Sequence, residues 1–185
     1  PNNLLPPAGP YKSNPGDVIV YQNGFKLRNV CHDNFAPQLP PPPIGGSQQY
    51  LFGSTTSFEV SFNNGNSWNP FSSPAQTTVF VHHTGSNGST EMYQTEMLQL
   101  NISGGSLPAG VMIRESPTLL SSGNHNTTSV PGGNYFVDSF FDVFTELSLD
   151  GGQSWIPALN PLRVALSLIC CPDDGDVCNG TETCD

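Results

Sequence analysis

Apolar and polar residues alternate along most of this chain, in short runs separated by glycine, proline and asparagine. Residues 17–30, DVIVYQNGFKLRNV, show the pattern most clearly, because two alternating stretches flank an Asn-Gly pair. A period of two places every second side chain on one face of a strand, and Asn-Gly favours the tight turn of a hairpin. Similar runs predict further strands at 49–52, 57–62, 77–82, 96–102, 111–115, 135–137, 140–149 and 163–169.

Helical periodicity is almost absent from the chain. Only residues 90–100 offer ten positions free of glycine and proline with a weak helical pattern. Many short strands between turn signals are typical of an all-β protein, and we expect an antiparallel β-sandwich, built as one large unit or two related ones. The expected organisation is an extended, proline-rich N-terminal arm with a first strand (1–29), the sandwich (30–169) and a cysteine-rich acidic tail (170–185).

One phrase occurs twice in the chain. Residues 59–70 read EVSFNNGNSWNP and residues 146–157 read ELSLDGGQSWIP, with six of twelve positions identical at a constant offset of 87. The alignment extends without an insertion over 58–81 and 145–168, and it pairs the only two tryptophans of the protein. Each copy therefore predicts a strand, a tight turn, a tryptophan and a second strand.

The repeated phrase resembles the Asp box, S-x-D-x-G-x-[ST]-W, of sialidases and many other secreted β-proteins. The matching residues are Ser148, Asp150, Gly152, Ser154 and Trp155 in the second copy, and Ser61, Asn63, Gly65, Ser67 and Trp68 in the first, where Asn63 replaces the aspartate. An aspartate or asparagine accepts backbone hydrogen bonds in a turn, and glycine supplies a positive φ. Asparagine cannot replace a catalytic acid, so we expect two structural turns and no active site here.

Two further resemblances concern location. The segments MLQLNISGGSLPAGVMIRESP and SFFDVFTELSLDGGQSW are similar to uncharacterised secreted proteins of environmental bacteria, over residues 30–168. The ending DDGDVCNGTETCD resembles a cysteine-rich repeat of large bacterial surface proteins. Both resemblances imply an extracellular or cell-surface protein, and neither implies an activity.

Composition narrows the function classes. Only 11% of residues are charged, yet 11 Phe, 5 Tyr and 2 Trp lie in strand-like runs, which favours a folded chain over a disordered one. The net charge is −10 and there are five cations, Lys12, Lys26, Arg28, Arg114 and Arg163. Without a basic patch the chain is not expected to bind nucleic acid. It also lacks the run of about 18 apolar residues that predicts a membrane-spanning helix.

The cysteines predict disulfides and an oxidising compartment. Four of them, Cys170, Cys171, Cys178 and Cys184, crowd the tail without the C-x2-C spacing typical of zinc, and Cys31 is expected to pair with Cys170 or Cys171. The N-x-S/T sequons at Asn87, Asn101, Asn126 and Asn179 are candidate glycosylation sites, although a chain this rich in these residues contains several by chance. We interpret the chain, which begins with proline, as a mature secreted protein or a shortened piece of one.

Candidate sites for other chemistry are few. His82 and His83 are expected to point to opposite faces of a strand, and His32 and His125 to lie in loops. A carboxylate pair for glycoside hydrolysis is available among Glu96, Glu115, Asp138, Asp142 and Glu146, for which solvated strand ends are the alternative. No metal centre or cofactor is predicted. Asp173, Asp174 and Asp176, alongside Asn179, form a candidate Ca²⁺ loop, but a solvated acidic loop is the favoured interpretation of these residues.

The N-terminus gives the most specific hypothesis. Its proline-rich arm leads into a strand, Val18, Ile19, Val20 and Tyr21, that is suited to completing a sheet in a neighbouring copy. The alternative is that this strand pairs within its own chain. We therefore expect a non-enzymatic extracellular structural subunit that self-associates, as a homo-oligomer or filament; a glycan-binding module using Tyr93 or Tyr135 and a carbohydrate-active hydrolase are the alternatives.

Overall fold

The computed structural model describes residues 2–167, which form strands, turns and loops. The twelve strands are β1 (Tyr11–Ser13), β2 (Val18–Val20), β3 (Lys26–Ala36), β4 (Ser47–Ser61), β5 (Asn69–Asn87), β6 (Thr90–Ser103), β7 (Met112–Glu115), β8 (Ser121–Val130), β9 (Asn134–Val143), β10 (Thr145–Ser148), β11 (Ile156–Pro157) and β12 (Leu162–Leu166). Within this part of the chain there is no helix of the length and apolarity that crossing a membrane requires.

The strands close into an antiparallel barrel of eight strands. Around one end the order is β3, β1, β12, β9, β8, β6, β5 and β4, and closure comes from the pairing of β6 with β8. The all-β, antiparallel class predicted from the sequence is confirmed. Instead of the expected sandwich, the strands form a single sheet that closes on itself. The long strands β5 and β6 run the full height of the barrel wall and pair with other strands at both ends.

The other end of the barrel closes through different strands. There β2 pairs with β3, β7 with β6, β10 with β7 and β11 with β10. The circle is completed where Tyr21 bridges Ala158 and the Leu159 N–H donates to the Val20 carbonyl over 2.7 Å. Half of the wall is therefore made of interrupted strands, and the continuous half is made of β3, β4, β5 and β6.

Several predicted elements differ in length from the observed ones. The hairpin at residues 17–30 is confirmed as β2 and β3, with the Gly24 N–H bonded to the Tyr21 carbonyl. The separate strands expected at 49–52 and 57–62 are one strand, β4, and the weak helical segment 90–100 is part of β6. In each case pairing along a long neighbour, β5, outweighs the local pattern.

The core fills the inside of the barrel. Inward positions of β4, β5 and β6 alternate with exposed ones, and Tyr50, Phe58, Val81 and Met97 are each no more than 4% exposed. An aromatic cluster of Tyr11, Phe35, Phe52 and Phe141 occupies the end closed by β1 and β12, with edge-on ring contacts such as Phe35 to Phe52 at 5.6 Å.

Candidate functional site

The two repeated phrases form the same turn, with the same main hydrogen bonds. In the first copy the Ser61 hydroxyl donates to Asn63 Oδ1 (2.9 Å) and accepts the Gly65 N–H (2.7 Å), while the Ser67 N–H donates to Asn63 Oδ1 (2.9 Å). In the second copy the corresponding distances, among Ser148, Asp150, Gly152 and Ser154, are 2.8, 2.8 and 2.9 Å. Ser61 and Ser148 are fully buried, and their hydroxyl groups are bonded within the turn. These contacts are those of a structural turn.

Each turn is also fastened to its neighbouring strand by an arginine. Arg28 bonds Glu59 at 2.6 Å and its guanidinium lies 4.0 Å from the Trp68 ring centroid. The equivalent set is Arg114, Glu146 and Trp155, with 2.7 Å and 4.0 Å. The two arginines differ by 86 positions while the glutamates and tryptophans differ by 87. Sequence alignment at a constant offset therefore missed them, although KLR at 26–28 and MIR at 112–114 carry the signal.

The third arginine, Arg163, also contacts a carboxylate and an aromatic ring. Arg163 on β12 makes two hydrogen bonds to Asp142 on β9, at 2.9 and 2.6 Å, and lies over the Phe140 ring at 4.1 Å. Each arginine thus belongs to a separate trio of arginine, carboxylate and aromatic ring, on a different pair of strands. Such trios stiffen the barrel wall, and a shared arginine cluster for a carboxylate substrate is not formed.

The candidate carboxylates serve different structural roles. Glu146 is covered and bonded by Arg114, and Asp142 by Arg163, whose hydrogen bonds hold the pKa of Asp142 below its ordinary value. Glu115 is 9% exposed and accepts a hydrogen bond from Ser121, and burial raises its pKa to about 7. A protonated carboxyl group can act as a general acid. Glu115, however, is the last residue of β7 and its side chain is buried.

The histidines lie in strands and are mostly buried. His82 and His83 face opposite sides, as predicted, and His83 is bonded to Glu91 at 2.6 Å. The expectation of loops for His32 and His125 is wrong, because they lie in β3 and β8 and are 7% and 2% exposed. Across residues 2–167 no three His, Cys, Asp or Glu side chains gather in a form that would hold a metal ion.

The remaining predicted residues divide between described and undescribed parts of the chain. Cys31 is buried in β3 and disulfide-bonded, and the identity of its partner stays a prediction. Asn87 lies exposed at the end of β5, whereas Asn101 and Asn126 are half-buried in β6 and β8. The following lie outside the described residues: Cys170, Cys171, Cys178, Cys184, Asn179, Asp173, Asp174 and Asp176.

A cavity of about 40 Å³ lies inside the barrel, at the end closed by β1 and β12. Its walls are mainly apolar and aromatic, from Phe35, Phe52, Val79, Met97 and Phe141 among others. Among residues 2–167, no Asp, Glu, Lys or Arg lines it. The cavity is one of two places where the side chains of the barrel leave part of the interior unfilled.

Three residues that line this cavity carry polar atoms without a hydrogen-bond partner. Among the described residues, the buried side-chain atoms that lack a hydrogen bond are the Thr77 and Thr95 hydroxyls and both ring nitrogens of His125, and all three residues line the cavity. They are 0%, 5% and 2% exposed. Burial lowers the pKa of His125 to about 4, so the imidazole is neutral near neutral pH and offers one donor and one acceptor.

A second cavity, of about 50 Å³, gives a contrast. Its polar wall atoms are paired: the Thr56 hydroxyl donates to the Ser73 carbonyl over 3.1 Å, and Tyr21 and Thr145 share a bond of 2.9 Å. Unpaired buried groups are costly, so they occur where a ligand, water or function requires them. The cavity that carries Thr77, Thr95 and His125 is therefore the candidate ligand site.

The N-terminal arm, residues 2–13, covers this cavity. Leu5, Pro6 and Pro7, which we name the plug, are buried and line the cavity wall. The plug is held by two backbone bonds between Leu5 and Leu39, of 2.7 and 2.8 Å, and by one from Gln38 to the Pro6 carbonyl. Compared with the strands beside it, the plug contributes apolar surface with few hydrogen bonds.

The rest of the arm occupies a slot in the barrel wall. The three residues of β1 lie between β3 and β12 and pair with both, as in Tyr11 with His32 and with Leu166. Tyr11 also donates to the Ser139 hydroxyl at 2.8 Å. Immediately afterwards the chain is exposed at residues 14–16. At this end β1 alone connects β3 to β12 among the described strands.

The strand expected to mediate assembly is placed inside its own barrel. Val18, Ile19 and Val20 form β2, which pairs with β3, and Ile19 and Tyr21 are 3% and 2% exposed. This is the intrachain arrangement that the sequence left open. Tyr93, offered for glycan binding, is 4% exposed and packs against His83 and His125, whereas Tyr135 is half-buried in β9.

No family model matches this chain, and neither the curated proteins nor the solved structures include a significant match. The barrel, its interior and its N-terminal arm are therefore the features that bear on function. Sequence reasoning missed that site, because the inward positions of β8 are Ser121, Gly123, His125 and Thr127, which do not have the apolar alternation of a strand.

Proposed function

We propose that this protein is an extracellular structural subunit that associates with copies of itself by exchanging its N-terminal arm. The single observation that carries the proposal is the position of β1. It is a three-residue strand that fills a slot between β3 and β12 and is followed by an exposed turn at residues 14–16. A neighbour's arm can make the same contacts in that slot, which is the physical basis of strand exchange.

The closed wall favours exchange over simple addition of a strand. Around most of the barrel each strand already has a partner on both sides, so an incoming strand requires that a resident one leaves. β1 has three residues and β5 has nineteen, so β1 has far fewer bonds to break. Its side chain Tyr11 and the plug supply apolar area that a swapped arm would bury equally well in a second copy.

The rest of the barrel is suited to a structural role. The two repeated turns and the three arginine trios fasten neighbouring strands at separate places on the wall. Glu146 and Asp142, available as catalytic groups by sequence, are used in these trios. A stiff barrel with one weakly held arm is the combination that a subunit joined by arm exchange needs.

Removal of the arm tests the proposal. A chain lacking residues 1–13 is expected to lose higher assemblies in size-exclusion chromatography and negative-stain microscopy. A synthetic peptide of residues 2–13, added in trans, is expected to fill the slot and raise the melting temperature of the truncated barrel without restoring assembly, since it carries no barrel of its own. The peptide also separates loss of assembly from loss of folding.

Two results would contradict the proposal. One is unchanged assembly of the truncated chain. The other is full-length protein that remains monomeric at every concentration and after slow refolding. A monomer that binds glycans on an array would favour the glycan-binding alternative, and turnover of a glycoside that is lost in Glu115→Gln would favour the hydrolase.

A further inference from the structure

We propose that the cavity beneath the plug is a binding site for a small uncharged molecule with an apolar, ring-sized body and one hydroxyl or amide group. The inference concerns the interior of the barrel and stands independently of assembly. It rests on Thr77, Thr95 and His125, which line the same cavity and carry four buried polar atoms without a hydrogen-bond partner.

The chemistry of the walls selects an uncharged guest. None of the lining residues is charged at neutral pH, and burial lowers the pKa of both histidines in the wall, His32 and His125, to about 4. An ion placed here would lose its hydration without gaining a partner of opposite charge, which is strongly unfavourable. A neutral hydroxyl or amide instead meets two hydroxyls and an imidazole, which both donate and accept.

The apolar part of the guest follows from the aromatic cluster. Tyr11, Phe35, Phe52 and Phe141 surround the space with ring faces and edges, and Met97 adds an adaptable side chain. Barrels of eight strands have an interior just wide enough for side chains or one small ligand. A molecule with an aromatic or branched aliphatic body fits this lining better than a sugar or a peptide.

The size of the guest depends on the plug. With the plug in place, about 40 Å³ accommodates roughly three water-sized groups, whereas benzene needs a cavity of roughly 150 Å³. Displacement of Leu5, Pro6 and Pro7 adds the volume of three side chains directly to the cavity, because all three line it. The plug is bonded to Leu39 and Gln38 and not to the strands of the wall, so it is the part of the lining that yields most easily.

Gly123 shows how closely the site is built. A Cβ at this position would lie 2.6 Å from the Thr95 hydroxyl and 2.2 Å from the Phe140 carbonyl. Only glycine lets β8 approach β6 and β9 closely enough to bring Thr95, His125 and Phe141 around one space. The sequence GNHN at 123–126, which looks like a loop, therefore marks the polar floor of the site.

The test uses 4-fluorophenol as the probe, followed by fluorine NMR on the full chain. Wild-type protein is expected to bind it. The double variant Thr77→Val, Thr95→Val keeps the shape of both side chains and is expected to weaken binding about fivefold or more, the effect of one hydrogen bond. Thr56→Val, in the second cavity, is the matched control and is expected to leave the affinity unchanged.

Two further comparisons test whether the probe binds in this cavity and whether the cavity prefers an uncharged ligand. Leu5→Ala enlarges the cavity and is expected to tighten binding, by contrast with a nonspecific surface site, which it would not affect. The anion 4-fluorobenzoate is expected not to bind, and 4-fluorotoluene to bind more weakly than the phenol. If Leu5→Ala does not fold, as judged by circular dichroism, the threonine variants decide alone.

The proposal is overturned by equal affinity of 4-fluorophenol for wild type and the double threonine variant, or by binding of the benzoate as tightly as the phenol. Absence of phenol binding to both wild type and Leu5→Ala also overturns it, and leaves ordered water as the occupant. None of these outcomes depends on whether the arm exchanges, because binding is measured on monomer and assembly alike.

Discussion

The two repeated hairpins make the same contacts in different surroundings. The first joins two long, continuous strands, β4 and β5, whereas the second joins two short ones, β10 and β11, in the interrupted half of the wall. The distances within the turns differ by no more than 0.1 Å for the bonds that both copies share. The turn is therefore specified by its own residues, and its surroundings affect the contacts made outside it, such as those between the glutamate and the arginine.

Asn63 and Asp150 show what the turn tolerates. Both side chains accept the backbone N–H four residues later, but Asn63 Nδ2 donates to the Ser67 hydroxyl, whereas the Ser154 hydroxyl donates to Asp150 Oδ2. The serine reverses its role as donor or acceptor to suit its partner. A carboxylate is thus not required, which agrees with a structural role for both copies.

The largest expected difference concerns the glutamate of each trio. Glu146 is 8% exposed and bonded twice by Arg114, whereas Glu59 is about one-third exposed in its side chain and accepts a single bond from Arg28. We expect Glu146→Gln to lower the free energy of unfolding by roughly 2–4 kcal/mol, because Glu146 is the buried partner and the change removes the charge that accepts two hydrogen bonds from Arg114. Glu59→Gln is expected to cost about 1 kcal/mol or less. Urea denaturation of both variants tests the comparison, and equal losses would contradict it.

The buried serines should instead be equivalent. Ser61 and Ser148 are both 0% exposed and each accepts the N–H of the glycine four residues later. Replacing either by alanine leaves that N–H without its partner, with an expected loss of roughly 1–3 kcal/mol. The two losses should agree within about 0.5 kcal/mol if each turn is self-contained. A clear difference in chemical denaturation between Ser61→Ala and Ser148→Ala would show that the surroundings, and not the turn, set its strength.

The residue that follows the arginine differs between the two copies, and this difference should make stability depend on pH. The counterpart of Glu115 beside the first arginine is Asn29, which is exposed and donates to Glu59 at 3.0 Å. Burial raises the pKa of Glu115 from 4.5 to about 7, so the unfolded chain loses this proton before the folded one does. Its contribution to stability is present below pH 4.5 and is lost as pH rises to about 7. Glu115→Gln should flatten melting temperature against pH in this window and be the more stable protein at pH 8; a profile parallel to wild type would refute the assignment.

The smallest effect is expected from exchanging the amide and the acid. Hydrogen bonds from Ser154, and then from Ser148, lower the pKa of Asp150 to about 2 from 3.8. The stability that Asp150 provides is therefore present above pH 3.8 and lost as pH falls towards 2. Asp150→Asn should remove part of the acid loss of stability, and Asn63→Asp should add a similar one, while both leave the protein unchanged at pH 7. A marked loss of stability at neutral pH in either variant would contradict the interchangeability of the two side chains.

The sequence predicted what lies within single segments and failed where distant segments meet. The hairpins follow from local phrases, since serine, glycine and tryptophan act within a few residues of each other. Arg28 and Arg114 reach their turns from neighbouring strands, and a bulge in the first copy between Arg28 and Cys31 accompanies the change of offset. Closure of the barrel depends on the pairing of β6 with β8. The sequence of β8 does not predict a strand, because polar residues such as His125 and Thr127 occupy its inward positions.

The interior site was unpredictable for the same reason. Thr77, Thr95 and His125 come from three strands, and each in isolation reads as an ordinary polar residue. The role of the arm was predictable in part, because proline-rich sequence excludes a central strand and leaves apolar residues such as Leu5 to be buried elsewhere. The position of β1 between β3 and β12 required the structure.

The most direct test of arm exchange asks which chain each arm contacts. In the variant Leu5→Cys, Leu39→Cys the two positions form a hydrogen-bonded antiparallel pair, whose Cα separation of about 5.5 Å suits a disulfide. Equal amounts of this variant labelled with nitrogen-14 and nitrogen-15 are mixed unfolded, refolded, assembled, oxidised and digested. Arm exchange predicts peptides that join residues 5 and 39 with mixed labels in the assembled fraction. Assemblies in which every such peptide carries a single label would contradict it.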